Sequence, residues 1–290
     1  MNRKNAKSYM ALMSAMLIFG TLGIFRRYIP FSSGMLAFFR GILGSAFLLI
    51  FLFAKGGRLQ RVERKTLCLL AVTGALIGLN WMLLFEAYNY TAVATATMCY
   101  YMQPTIVILL SPLVFREKLT CKKLLCALAA IVGMVFVSGI LNGSSLQLQD
   151  IKGVLFGLGA AALYATVVIL NKKVTLENVY EKTIIQLIAA AVIMIPYLLL
   201  TEDFAAVTVN AAAVGMVLFV GIVHTGIAYA LYFGSMKNLK AQSIAVMSYI
   251  DPVFALLLSA AVLHEKLSLF GFIGAVLIIG SALVSEATGE

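Results

Sequence analysis

The sequence predicts an all-α integral membrane fold of ten transmembrane helices, arranged as two inverted-topology five-helix repeats. Three observations carry that prediction. Hydrophobic residues make up 62% of the 290-residue chain and charged residues 12%, against roughly 25% charged residues in ordinary soluble domains; a water-soluble fold is excluded. Apolar runs long enough to cross a hydrocarbon core about 30 Å thick recur along the whole chain. Finally, the second half repeats the first at a nearly constant spacing.

Charged or Gly/Asn-containing breaks place the helices near 8–27, 32–54, 66–88, 92–115, 122–140, 152–171, 182–200, 210–233, 241–263 and 269–286. The first follows Arg3, Lys4 and Lys7 and so resembles a signal peptide, but nine further runs come after it and it reads as an uncleaved first span. With the N-terminus inside, the cytoplasmic segments hold 17 Lys and Arg and the outer segments 4, chiefly Arg26 and Arg27, while Arg40 within the second helix completes the 22. Such an asymmetry over short loops is what the positive-inside rule demands, so the expectation is a multi-pass protein of the cell membrane, the inner membrane of a bacterium, with both termini cytoplasmic. The net charge of +10 is therefore a matter of orientation, and no nucleic-acid partner is expected. Lys118, Lys122, Lys123, Arg58, Arg61, Arg64 and Lys65 belong to this set and face anionic lipid rather than substrate. Cys68, Cys99, Cys121 and Cys126 show no CxxC spacing; they read as small core hydrophobes, with neither a disulfide framework nor a metal site.

At an offset of 148, Leu83 meets Leu231, Tyr101 meets Tyr249, Pro104 meets Pro252, and Leu109-Leu110-Ser111 meets Leu257-Leu258-Ser259. Glu117-Lys118-Leu119 then aligns with Glu265-Lys266-Leu267, and at an offset of 146 Arg26-Arg27 faces Lys172-Lys173. Apolar matches arise by chance, but the Pro and Glu-Lys-Leu anchors do not. Residues 1–141 and 152–286 are thus read as two five-helix repeats joined by a linker over 142–151. An odd number of crossings per repeat sets the second copy upside down. Inverted repeats mark transporters for a mechanical reason: halves related by an axis in the membrane plane can exchange conformations and open a midplane site to each side in turn.

With Arg40 early in helix 2, Pro104 and Pro252 within helices 4 and 9, and Glu117 and Glu265 just after them, the chain resembles the drug/metabolite transporter superfamily, in its EamA-type branch. Asn80-Trp81, Leu84-Phe85-Glu86-Ala87-Tyr88, His224-Thr225-Gly226 and Tyr249-Ile250-Asp251-Pro252 look like a bacterial subset of it. The resemblance implies a cavity lined mainly by helices 1, 3, 4, 6, 8 and 9, and export of amino acids or related metabolites. One departure stands out: the position matching Arg40 is Gln186, so the halves are not electrostatically equivalent.

Polar residues within the spans are the candidate substrate-binding or coupling groups. Asp251 lies about 15 Å into helix 9, near the midplane, with Asn80, Gln103, Tyr164 and His224 at similar depth. A carboxylate there costs roughly 2.5–3.5 kcal/mol on insertion scales and needs a partner, a wet cavity or a proton; alternatively Asp251 bonds the backbone groups that Pro252 disturbs. His224 is either a ligand or proton-handling group or an interhelical hydrogen-bonding residue. Arg40 and Glu86 share a leaflet, and either pair with each other or jointly meet a zwitterionic substrate. Trp81, Tyr101, Tyr164 and Tyr229 supply aromatic walls or plain packing. Pro104 and Pro252 are hinge or cavity markers.

Other function classes find less support. No GxSxG, HExxH or GxGD occurs, so a membrane-embedded enzyme is not expected, and there is no TVGYG-like filter for a channel. Without a GxxxxGK[ST] segment, ATP is not the energy source and no cofactor is expected. The partners are then a small-molecule substrate, the lipid bilayer and protons as a coupling ion; the sequence leaves the oligomeric state open. Efflux of hydrophobic cations is the alternative to metabolite export.

Overall fold

In hydrocarbon every backbone N–H and C=O must find its partner inside the protein, and the spans are helical, with no strand among the described residues. A computed structural model describes residues 3–27, 29–90, 96, 99–116, 119–137, 148–174, 176, 178–202, 210–262 and 269–287. Glu117, Lys118, Glu265, Lys266, Leu267, the start of the fourth expected helix and most of the 142–151 linker lie outside these residues, as do the side chains of Arg26, Arg27, Tyr88 and Ser259.

The helices are α1 (Arg3–Arg27), α2 (Ser33–Ala54), α3 (Arg64–Tyr90), α4 (Gln103–Phe115), α5 (Cys121–Val137), α6 (Leu148–Lys173), α7 (Val179–Thr201), α8 (Ala211–Ser235), α9 (Ala241–Met247), α10 (Ile250–Val262) and α11 (Leu269–Ala287). They account for the ten expected crossings, because α9 and α10 together make the ninth. Among the described residues five helical stretches, nearly all of α2, α3 and α6 and the whole of α7 and α8, are long and apolar enough to cross a membrane by length and composition. Large apolar side chains face outward along the bundle, Leu200 85% and Leu113 80% exposed, while Thr73, Asn80, Gln186, His224 and Thr225 are fully buried. Apolar groups outside and polar groups inside is the polarity that lipid selects.

Three irregularities interrupt the helices, two at the prolines marked from the sequence and one that the sequence did not announce. The fourth and ninth crossings are broken by turns at Tyr101-Met102 and Ser248-Tyr249, just ahead of Pro104 and Pro252. Each proline lacks an N–H and crowds the carbonyl four residues back; tighter bonds, Met102 N–H to Cys99 O at 3.2 Å and Tyr249 N–H to Val246 O at 3.1 Å, take over. The third irregularity is a π-helical stretch, Val220–Ile227, inside α8.

Packing obeys the twofold relation. α2 lies on α8 as α7 lies on α3, α1 on α8 as α6 on α3, and α1 on α10 as α6 on α4; α5 packs on its own counterpart α11. At that last interface a Cβ on Gly133 would sit 2.8 Å from Gly274 O, so only glycine admits so close a helix approach.

Candidate functional site

The buried polar groups converge where α2, α3, α6, α8 and the two broken crossings meet. Arg40, from α2, is 5% exposed. Its Nε donates to Thr225 Oγ1 on α8 at 3.0 Å, and the guanidinium carbon lies 5.0 Å from the centroid of Trp81 on α3. Thr225 has one hydroxyl proton, and that goes to the Val220 carbonyl five residues back at 3.2 Å, a reach supplied by the wide π turn. Tyr100, Tyr164 and Tyr229 are the other close neighbours of the guanidinium, and among the described residues no carboxylate pairs with it. The expected alternative of an Arg40–Glu86 pair is not formed; Glu86, half-buried near the far end of α3, lies near Tyr197 instead.

Asp251 stands in the first turn of α10, where the helix dipole favours a carboxylate. The side chain of Tyr101, from the break in the fourth crossing, hydrogen-bonds it, and Tyr229 and Tyr232 are close by. Asp251 and Tyr101 are both half-buried, whereas Tyr229 and Tyr232 are buried. Gly20 of α1 permits this placement, since a Cβ there would come within 2.9 Å of the Asp251 carbonyl oxygen.

Tyr229 joins the two charges: it is a near neighbour of both Arg40 and Asp251, and its hydroxyl meets Trp81 and Tyr164. Its ring packs edge-on against Phe19 at 5.3 Å and Trp81 at 6.2 Å, and Tyr164 stacks on Tyr232 at 6.4 Å. No ion pair bridges Arg40 and Asp251 among the described residues.

The remaining candidates fall around this cluster. His224, fully buried beside Thr225, contacts Thr21 Oγ1 through Nε2 at 2.7 Å. Thr21 donates its own proton to Ile18 O at 2.7 Å, so it accepts from His224 Nε2–H, leaving Nδ1 an acceptor with no partner. Asn80 ties α3 to α6 through Nδ2 to Ala160 O at 2.7 Å, with Oδ1 unpartnered. Gln103, the counterpart of Asp251, has a buried, unpartnered Nε2. Tyr249, the counterpart of Tyr101, bonds Thr105 across the two broken crossings at 2.7 Å.

Sequence reasoning missed Tyr100, Tyr232 and Phe19 as cluster members, although Tyr100 adjoins Tyr101. It also set Gln186 aside as an asymmetry. In fact Gln186 Nε2 donates to Thr73 Oγ1 on α3 at 2.6 Å and to Asn171 Oδ1 at 2.9 Å, a cross-repeat bond to a threonine like that of Arg40, although Thr73 aligns with Gly221 and Thr225 with Ile77.

The profile of the EamA-like transporter family matches residues 6–139 and again residues 151–286. The chain is 27% identical over 284 residues to the uncharacterized transporter YxxF of Bacillus subtilis (strain 168), covering 97% of this chain and 90% of that one. It is 25% identical over 291 residues to a transporter of Archaeoglobus fulgidus, covering 98% of each, and 25% identical over 254 residues to the protein RarD of Salmonella typhi, covering 82% of each. One crystal structure shares the fold with a TM-score of 0.86 at 21% identity, over 98% of this chain and 96% of that one. A bundle of two inverted five-helix repeats around a buried polar cluster is the architecture of a membrane transporter. This chain belongs to the EamA-like transporter family, and its setting is that of the family: a multi-pass membrane protein acting on small molecules.

Proposed function

We propose that the chain is a secondary transporter that exports amino acids or related small zwitterionic metabolites by alternating access, with protons as the coupling ion. The observation that carries this is Arg40: a buried guanidinium held by Thr225 and Trp81, lacking a carboxylate among the described residues, with Asp251 on the other flank of Tyr229. A charge inside the membrane that the fold leaves unpaired has a ligand as its natural partner. Arg40 takes the substrate carboxylate in a two-point contact. Asp251 takes the substrate ammonium, and a proton when the substrate has left, so the site never returns with a bare charge.

Trp81, Tyr101, Tyr164 and Tyr229 form the aromatic wall. Asn80 Oδ1, Gln103 Nε2 and His224 Nδ1, each buried without a partner, are the groups a polar substrate satisfies. Repeats 1–141 and 152–286 are the units that rock, with Pro104 and Pro252 as their hinges; Glu86 guards the outer approach. Both termini lie in the cytoplasm and the protein works in the cell membrane. Efflux of hydrophobic cations is the second reading, favoured by the rings around Asp251; buried Arg40 repels such a cargo and supports the first reading.

Uptake into proteoliposomes under an imposed pH gradient, run over a panel of amino acids and lipophilic cations, tests this. Asp251→Asn folds, but its turnover drops at least tenfold or loses its dependence on the gradient. Unchanged transport in that variant removes Asp251 from the mechanism.

A further inference from the structure

Apart from the Arg40–Asp251 cluster, a cleft of about 680 Å³ opens between α1, α2, α7 and α8. Phe47, Ile227 and Leu231 form its apolar depth and Lys7, Asn178 and Asn238 its mouth; its lining contains no carboxylate. Lys55 adds a second ammonium beside the mouth, its Nζ 4.6 Å from the ring of Phe51, another lining residue. From Ile227 to Ser235 the cleft follows α8 for about 12 Å.

The twofold relation provides an internal control. Gly226 packs against Phe47, and its counterpart Gly78 packs against Ile193, the counterpart of Phe47. One turn further on, the halves part. On α3 come Met82 and Glu86, with Glu86 near Tyr197. Their counterparts on α8 are Ala230 and Gly234, and there, opposite Phe51, the space stays open. The cleft is thus made by two small residues rather than required by the fold.

We propose that this cleft holds one acyl chain of an anionic phospholipid, drawn from the leaflet at the lysine-rich end of the bundle, with its phosphate set against Lys7 and Lys55. The occupant follows from chemistry: an apolar slot running along the membrane normal, open to the bundle exterior, with cations and amide groups where a headgroup would sit. A cationic amphiphile fails the charge match, and a free anion leaves the apolar depth empty.

Native mass spectrometry of the detergent-purified protein, titrated with dioleoyl phosphatidylglycerol or dioleoyl phosphatidylcholine, tests the assignment. The wild type is expected to retain one phosphatidylglycerol at least tenfold more tightly than phosphatidylcholine. In Ala230→Met/Gly234→Leu, which fills the slot, that tight adduct disappears; a Cβ at Gly234 meets only ordinary contact, 3.4 Å from Val179, so the change is tolerable. Lys7→Gln/Lys55→Gln, at two exposed positions, abolishes the preference between the lipids even if the filled variant fails to fold. Undiminished retention by the filled variant, an unaltered preference in the lysine double variant, or displacement of the lipid by inorganic phosphate alone would each overturn the proposal.

Discussion

The two repeats place different chemistry on one scaffold. Arg40 and Gln186 hold equivalent positions, and so do Asp251 and Gln103. Each half therefore contributes one charged residue and one glutamine, with the roles exchanged. Arg40 and Asp251 both border Tyr229, whereas Gln186 is spent on Thr73 and Asn171 in the α3–α6–α7 contact. Twofold symmetry is thus kept in the helix packing and given up in the charges, and on the proposed function that asymmetry is what holds a dipolar cargo one way round.

Making the halves alike breaks this division most severely. Arg40→Gln copies the other repeat, retains a donor for Thr225 and removes the charge; substrate affinity is expected to fall at least tenfold, about 1.4 kcal/mol, as read by substrate-induced quenching of Trp81 fluorescence, while the melting temperature in detergent holds. Gln186→Leu does the reverse. It strips partners from buried Thr73 and Asn171, so stability drops by about 1–2 kcal/mol in thermal melts, with substrate selectivity unchanged. The smallest effect belongs to Tyr249→Phe, which loses the bond to Thr105 and costs about 0.6 kcal/mol; equal losses of transport in this variant and in Arg40→Gln would show that the charges have no special part.

The spans, their order and their pairing into two halves could be read from the sequence because lipid imposes a coarse rule, about 20 apolar residues per crossing, and because prolines and a Glu-Lys-Leu segment fixed the alignment. Arg40, Trp81, Tyr164, Tyr229, Tyr101 and Asp251 do come together in the fold. Which of them touch was hidden, since contact depends on how helices rotate about their axes, and a uniformly apolar span has no sequence pattern that reports its rotation. The pairing of Glu86 with Arg40, one of two alternatives for these residues, fails for that reason: sharing a leaflet says nothing about sharing a face. The role of Gln186 was hidden too, because an amide and a guanidinium look unlike until the threonine that each one bonds is known.

The wide turn in α8 leaves one more consequence. A π-helical stretch is an extra residue wound into an otherwise regular ladder, and removing one residue lets the stretch close into standard geometry while the turns on either side keep nearly their present phase. Val220–Ile227 is therefore the place in this span where a natural deletion can be absorbed without unfolding, and such a relative would lack the five-residue reach from Thr225 to the Val220 carbonyl that steadies the partner of Arg40.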